Sequence, residues 1–350
     1  MSRTHAYAAE AADAALAPFA FEAPALGDHD VRLEVLYCGV CHSDLHAARN
    51  DWGATTYPIV PGHEVIGRVV EAGANVTRHR IGDVVGVGCM ADSCRVCRDC
   101  QAGLQQYCRS LVWTYDSLNP KTGQITRGGY ASAMVVDEAY VLRIPPGLDL
   151  AGAAPLLCAG VTTWSPLREW QVGPGMRVGV VGLGGLGHMA VKLASALGAE
   201  VALITTSPGK AADARRLGAS AVVVSTDKAQ MKAQAEGFDF ILDTVSAEHD
   251  LNPLLSLLRR DGTLVLLGIP PENQPPIRAI HLTARRKRLA GSLIGSIAET
   301  QDMLDFCAAH GITADVEVIA MDAINTAYER MLRSDVKYRF VIDMATLAHA

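Results

Sequence analysis

The run Gly182-Leu183-Gly184-Gly185-Leu186-Gly187 stands directly after the valine-rich stretch Met176-Arg177-Val178-Gly179-Val180-Val181 and directly before a helical pattern, His188 to Leu197. Few sequence features restrict a fold so strongly. In G-x-G-x-x-G between strand and helix, the first glycine (Gly182) permits the tight turn and the second (Gly184) lets the backbone approach a pyrophosphate. The third (Gly187) lets the helix pack closely, while Gly185 and Leu186 open that helix toward the phosphates. Further strands are expected at Val201–Ile204, Ala221–Val224, Phe238–Leu242 and Gly262–Leu267. Strand and helix alternating in this way predict an α/β fold with a doubly wound parallel sheet of the Rossmann type.

The coenzyme is read at the end of the second strand, where an NAD site presents a carboxylate to the ribose hydroxyls. Here the chain has Thr205-Thr206-Ser207-Pro208-Gly209-Lys210. No acid stands there to repel a 2′-phosphate, three hydroxyls can donate to it, and Lys210 carries a positive charge. NADP(H) is therefore expected.

The preceding residues follow another rhythm. Short valine-rich segments broken by glycine, at Val31–Val35, Val65–Val70 and Asp83–Val87, predict an irregular β-rich domain. The pattern changes after Pro145-Pro146-Gly147. Beyond Ser296, a helix at Glu299–His310 and a strand at Tyr338–Ile342 have no place in the parallel sheet. The predicted division is 1–157 with 296–350 for a catalytic zinc-binding domain, and 158–295 for the coenzyme domain.

The nine cysteines fall into two patterns. Cys94, Cys97, Cys100 and Cys108 crowd into one stretch and can close a tetrahedral thiolate shell without distant help. Zinc suits such a shell, with an iron–sulfur cluster as its competitor, and a closed shell shapes a loop rather than doing chemistry. Cys41, His63-Glu64 and Cys158 are widely separated, so only a large fold can assemble them. A Cys-His-Cys site with one exchangeable position is a catalytic zinc arrangement, and Glu64 is placed to take the fourth position when substrate is absent. Cys38, Cys89 and Cys307 are read as core thiols, and His188 as a packing or capping residue.

Composition narrows the function classes. Of 350 residues, 49% are hydrophobic and 19% charged, and 32 are glycine, which suits a two-domain α/β protein. A net charge of -6 gives no electrostatic reason to bind nucleic acid. The basic run Arg285–Arg288 is read as a solvated segment leading into a strand. The acids and prolines that interrupt the alanine-rich N-terminus argue against a signal peptide, and the longest apolar runs fall short of a membrane span. A cytoplasmic protein whose cysteines are ligands and buried thiols is expected.

Several blocks together resemble the zinc-dependent medium-chain alcohol dehydrogenases, and within them the cinnamyl alcohol dehydrogenase-like group. They are Gly39–His46, Pro61-Gly62-His63-Glu64, the four clustered cysteines, Gly128-Gly129-Tyr130, Cys158-Ala159-Gly160, Gly182–His188, Gly291–Ser296 and Tyr338–Val341. The resemblance implies a GroES-like catalytic domain beside the Rossmann domain, and two Zn2+ per chain. Cys41, His63 and Cys158, with Glu64 alternating, would hold the catalytic zinc, and the clustered cysteines the structural one. It further implies a proton relay through Ser43 and His46, Asp44 orienting His63, Thr162 against the nicotinamide, and a substrate lining of Trp52, Trp113, Ile269 and Ile294. The implied chemistry is NADP(H)-dependent interconversion of aromatic, allylic or medium aliphatic aldehydes with primary alcohols, in a homodimer joined through edge strands. The alternatives are a polyol or formaldehyde dehydrogenase of the same superfamily and a non-catalytic nucleotide-sensing zinc protein.

Overall fold

Six strands run parallel in the order Ala221–Val224, Glu200–Thr205, Arg177–Val181, Phe238–Asp243, Leu258–Leu266, Arg288–Gly291 in the computed structural model, which describes residues 3–269 and 275–349. The order reverses between Arg177–Val181 and Phe238–Asp243, the switch point of a doubly wound sheet, where ligands bind at the carboxyl ends of the strands. Val178, Val180, Phe238, Phe240, Ile241 and Leu264 are almost wholly buried, because a parallel sheet is covered on both faces.

Backbone contacts divide the chain into two units, Met1–Cys158 with Ser296–Ala350, and Ala159–Gly295. Cys158 belongs to the first unit rather than opening the second. It follows the one-turn helix Ala154–Leu157, which packs on the strands of the first unit.

The long strand Asp30–Val40 is the axis of the first unit. Val31, Leu33 and Val35 alternate inward from it, the period expected where one face meets a core. Val65–Ala72 pairs along one edge. The other edge is shared: Ala133–Asp137 takes its first half, and Arg339–Asp343 its second. Phe340 lies opposite Val40, so the end of the chain is delivered beside Cys41. Phe340 is fully buried, and truncating such a ring to alanine costs about 3–5 kcal/mol. The strand Val316–Ala320 extends the same sheet.

A hairpin, Arg3–Ala8 with Ala17–Glu22, precedes this sheet. Among the described residues no single helix is long and apolar enough to cross a membrane.

Candidate active site and coenzyme turn

Cys41 caps the helix His42–Ala48 from an extended backbone, and Asp44 closes the cap by accepting the Cys41 N–H at 2.9 Å. The same carboxylate accepts the Gly62 N–H at 3.1 Å, lies 2.9 Å from His63 Nδ1, and receives the Tyr130 hydroxyl at 3.3 Å. Asp44 has no exposed surface, so its oxygens rely on these donors in place of water. One residue thus starts the helix, fixes the Gly62 turn and holds the Nδ1 side of His63, so that Nε2 is the nitrogen turned toward the cysteines.

His63 Nε2 lies 3.2 Å from Cys158 Sγ, and Cys158 Sγ 4.0 Å from Cys41 Sγ. One donor atom each from Cys41, His63, Glu64 and Cys158 falls within 4.8 Å of the others, and all four residues are buried. The Cys158 hydrogen bond holds the Cys41 thiol well below its ordinary pKa, helped by the Arg339 charge, while Cys158 is pushed well above. Burial works to lower the His63 pKa, but the charge of Asp44 overrides it and sets the imidazole well above its usual range.

Glu64 is the clearest sign of what the site holds. Neither of its buried carboxylate oxygens has a hydrogen-bond partner. Arg339 Nη2, anchored through Nη1 on the Val40 carbonyl at 3.2 Å, comes to 3.3 Å from Oε1. Burial raises the carboxyl to about 7 against the opposing charge of Arg339. Two sulfurs, an imidazole nitrogen and an under-satisfied carboxylate form the donor set of a divalent zinc site, so these residues fit the metal.

Cys89 requires a correction. Expected as a core thiol, it is only partly buried, and a hydrogen bond with the Cys158 thiol lowers its pKa. The strand pair Met90–Asp92 with Val112–Trp113 carries it there, and Thr114 N–H binds the Cys89 carbonyl at 3.0 Å. Tyr115, just beyond, sets its ring 5.7 Å from that of His63. Sequence spacing pointed to neither residue. Arg339 and Tyr130 stood within motif blocks that resemble the family, but their partners are distant in the chain.

Ser43 and His46 share one helix three residues apart, a spacing that places side chains on one face. His46 Nδ1 lies 2.7 Å from Asp51 Oδ2, and its ring 5.6 Å from that of Trp52. Trp52 and Trp113 are exposed in the first unit, at 50% and 39%. Ile269, 62% exposed, and Ile294, 9%, belong to the second. Ile294 holds a left-handed backbone, φ 38, costly for a β-branched residue and the sort of strain found at ligand sites. Thr162 is buried in the helix Ala159–Glu169 of the second unit.

The second cysteine group is held by its own backbone. Cys94 Sγ accepts the Cys97 N–H at 3.4 Å, Cys97 Sγ accepts that of Cys100 at 3.5 Å, and Cys108 Sγ accepts that of Cys94 at 3.5 Å. The Val96 and Cys97 N–H groups lower the Cys94 thiol to about 6, as thiolate ligation requires. All four sulfurs lie within 4.8 Å of one another, and no further donor is needed for a closed tetrahedral shell.

In the second unit, Gly182 turns at φ 88, and a Cβ on Gly187 would meet the Gly182 carbonyl at 2.2 Å. A Cβ on Gly184 would meet nothing within 4 Å, which leaves open space where a pyrophosphate approaches. Gly185 and Leu186 begin the helix Gly185–Ala196. His188 is fully buried in that helix, its Nδ1 3.2 Å from the Gly184 carbonyl. Thr205 is buried and accepts the Ser207 N–H at 3.2 Å, so it shapes the loop, whereas Thr206 is exposed and Ser207 half-buried. Lys210 Nζ reaches back to the Leu183 carbonyl at 3.3 Å, which places its charge at the glycine turn.

A doubly wound sheet, a buried group of Cys41, His63, Glu64 and Cys158 that fits a metal, and a separate four-cysteine group are the features of a zinc dehydrogenase. The alcohol dehydrogenase GroES-like domain family matches residues 27–146, and the zinc-binding dehydrogenase family residues 185–309. Aldehyde reductase YahK of Escherichia coli K12 is 55% identical over 322 residues, 92% of each chain. NADP-dependent alcohol dehydrogenase C 1 of Mycolicibacterium smegmatis is 52% identical over 349 residues, 99% of each. A cinnamyl alcohol dehydrogenase structure from Sorghum bicolor superposes with a TM-score of 0.95 at 50% identity, covering 98% of both chains. The chain belongs to the zinc-dependent medium-chain alcohol dehydrogenases, in the cinnamyl alcohol dehydrogenase-like group, and is an oxidoreductase acting on CH–OH donors.

Proposed function

We propose that this enzyme reduces aromatic, allylic and medium aliphatic aldehydes to primary alcohols with NADPH, and runs the reverse oxidation with NADP+. The buried quartet Cys41, His63, Glu64 and Cys158, in which neither Glu64 oxygen has a hydrogen-bond partner, is the observation that carries this reading. Zinc held there supplies Lewis-acid polarisation of the substrate oxygen, and the nicotinamide supplies the hydride.

The chain's own residues do the remainder. Asp44 holds the His63 ring so that Nε2 faces the two cysteines. Arg339 stands against Glu64 and offers the carboxylate a partner when it is away from the metal. In the reduction Ser43 gives its hydroxyl proton to the product oxygen, and His46 replaces it; in the oxidation the proton runs the other way. Asp51, at 2.7 Å from Nδ1, fixes the orientation of the His46 ring. Trp52 and Trp113 give the substrate an apolar boundary with no charge to anchor a sugar or an acid. Lys210, Thr206 and Ser207 favour the 2′-phosphate of NADP(H), and Thr162 packs against the nicotinamide.

The reading extends to assembly and compartment. The parallel sheet ends on Arg288–Gly291, which pairs only with Leu258–Leu266 among the described residues, and this free edge suits a homodimer. Solution mass tests it. Free thiols throughout suit the reducing cytoplasm.

Protein of known zinc content, assayed with cinnamaldehyde, benzaldehyde, hexanal, formaldehyde, glucose and mannitol, decides the substrate class. Turnover confined to polyols or formaldehyde overturns it. Lys210→Glu should erase most of the preference for NADPH over NADH, and an unchanged preference contradicts the assignment.

A further inference from the structure

His249 belongs to neither metal site, yet its imidazole is pinned on both sides. Nε2 lies 2.8 Å from Asp243 Oδ2, and Nδ1 2.8 Å from the Ala247 carbonyl. Both partners are acceptors. A neutral imidazole donates from one nitrogen only, so the two contacts together require the imidazolium. Asp243 is 1% exposed at the last position of the strand Phe238–Asp243, and its other oxygen accepts the Val245 N–H at 3.1 Å.

The loop that this pair closes is the wall of the glycine turn. Thr244 donates to the Val181 carbonyl twice, from Oγ1 at 2.7 Å and from N at 3.1 Å. A Cβ on Gly187 would come within 3.2 Å of Thr244 Oγ1, and one on Gly182 within 3.1 Å of Val245. On the far side, a Cβ on Gly268 would meet the Val245 carbonyl at 2.1 Å. The segment is therefore packed between the turn and the end of the next strand, at the switch point of the sheet.

We propose that His249 and Asp243 form a proton-dependent clasp that positions the 244–249 loop against the glycine turn, so that affinity for NADPH and NADH alike depends on it. The inference rests on the dinucleotide reading of that turn. The charged groups acting on the imidazole are Asp243 from the strand end and Asp250 from its own loop. Both acids favour the protonated form, the Asp243 hydrogen bond most, and raise its pKa against partial burial. The clasp is complete at low pH and loses one of its two bonds as pH rises through that raised value.

The test is coenzyme titration by fluorescence on full-length, zinc-loaded protein at pH 6 and pH 9, with NADPH and NADH in parallel. Wild type should bind both coenzymes several-fold more weakly at pH 9. His249→Ala should weaken both about tenfold at pH 6, the scale of one charge-assisted hydrogen bond, and flatten the pH dependence. His249→Gln should recover part of the pH 6 affinity, since an amide still donates to Asp243, and should also be flat. If His249→Ala does not fold, His249→Gln decides by its pH dependence. Wild-type affinity in His249→Ala, or the wild-type pH dependence retained in His249→Gln, overturns the clasp. Wild type that binds neither coenzyme overturns the dinucleotide reading instead.

Discussion

The two cysteine groups differ in how their geometry is secured. The 94–108 group is built by its own backbone: amides of Cys94, Cys97 and Cys100 point at sulfurs of the same short loop, three of whose thiols are partly exposed. The Cys41–His63–Glu64–Cys158 group is buried and draws on a capped helix, a glycine turn and the strand Arg339–Asp343 to bring its atoms within 4.8 Å. A locally closed shell satisfies its metal and has no vacancy. A shell assembled by the fold can contain an imperfect member, here Glu64, whose oxygens have no hydrogen-bond partner and face only the Arg339 charge at 3.3 Å. We propose that this imperfection allows exchange with substrate.

Substitutions separate the two groups. The largest effect belongs to Cys158→Ser, which should lower turnover on the order of a thousandfold while the 94–108 group keeps its zinc. Comparable loss of zinc from both groups would break the distinction. Asp44→Asn keeps the shape of the side chain but weakens the acceptor for His63 and the Cys41 cap. It should reduce affinity for the catalytic zinc roughly tenfold to a hundredfold, read by competition with a chromophoric chelator.

Cys97→Ser is the mirror experiment. It should empty the local shell and lower Tm by roughly 10 °C, with turnover per remaining zinc within about twofold of wild type. A collapse of turnover in folded protein would show that the loop does more than hold its shape.

The smallest effect concerns what supports that loop apart from metal. Arg95, between the first two cysteines, reaches Asp92 at 2.8 Å and Asp137 at 2.7 Å, and Lys121 bridges the same two acids at 2.6 and 3.0 Å. Burial pushes the Asp137 carboxyl up, but the Ala139 N–H, Arg95 and Lys121 together hold it below its ordinary pKa. The unfolded chain therefore takes up this proton at higher pH than the folded one. The stabilisation is complete above the ordinary carboxylate range and is lost as pH falls through the lowered value. Asp137→Asn should lower Tm by about 2 °C at neutral pH and make the acid limb of the Tm profile shallower.

What could be read from the sequence follows the same division. The parallel strands fall close to their expected places because continuous apolar runs between glycine turns carry their own signal, and the edge strand Arg288–Gly291 emerges from the basic run. The hairpin Arg3–Ala8 with Ala17–Glu22 gave no such signal. Its alanines are poor strand formers, and Ala6 and Ala8 are buried through pairing and tertiary packing. In the site, motif spacing pointed to Cys41, His63, Glu64 and Cys158. Arg339, Tyr115, Tyr130, Asp51 and Cys89 were not legible as site members. Arg339 reaches Glu64 only because two strands share one edge of Asp30–Val40, and Cys89 reaches Cys158 only through a short irregular strand pair.

Stepwise removal of metal tests the separation of roles most directly. Purified enzyme is titrated with a strong chelator, and zinc per chain and NADPH-dependent aldehyde reduction are followed on the same samples. Two zincs per chain should be present at the start, activity should vanish with the first to leave, and the remaining zinc should stay with Cys94, Cys97, Cys100 and Cys108. Full activity once the zinc of Cys41, His63 and Cys158 has gone while the 94–108 group keeps its own, or activity that survives loss of both, would contradict the assignment of chemistry to Cys41, His63 and Cys158.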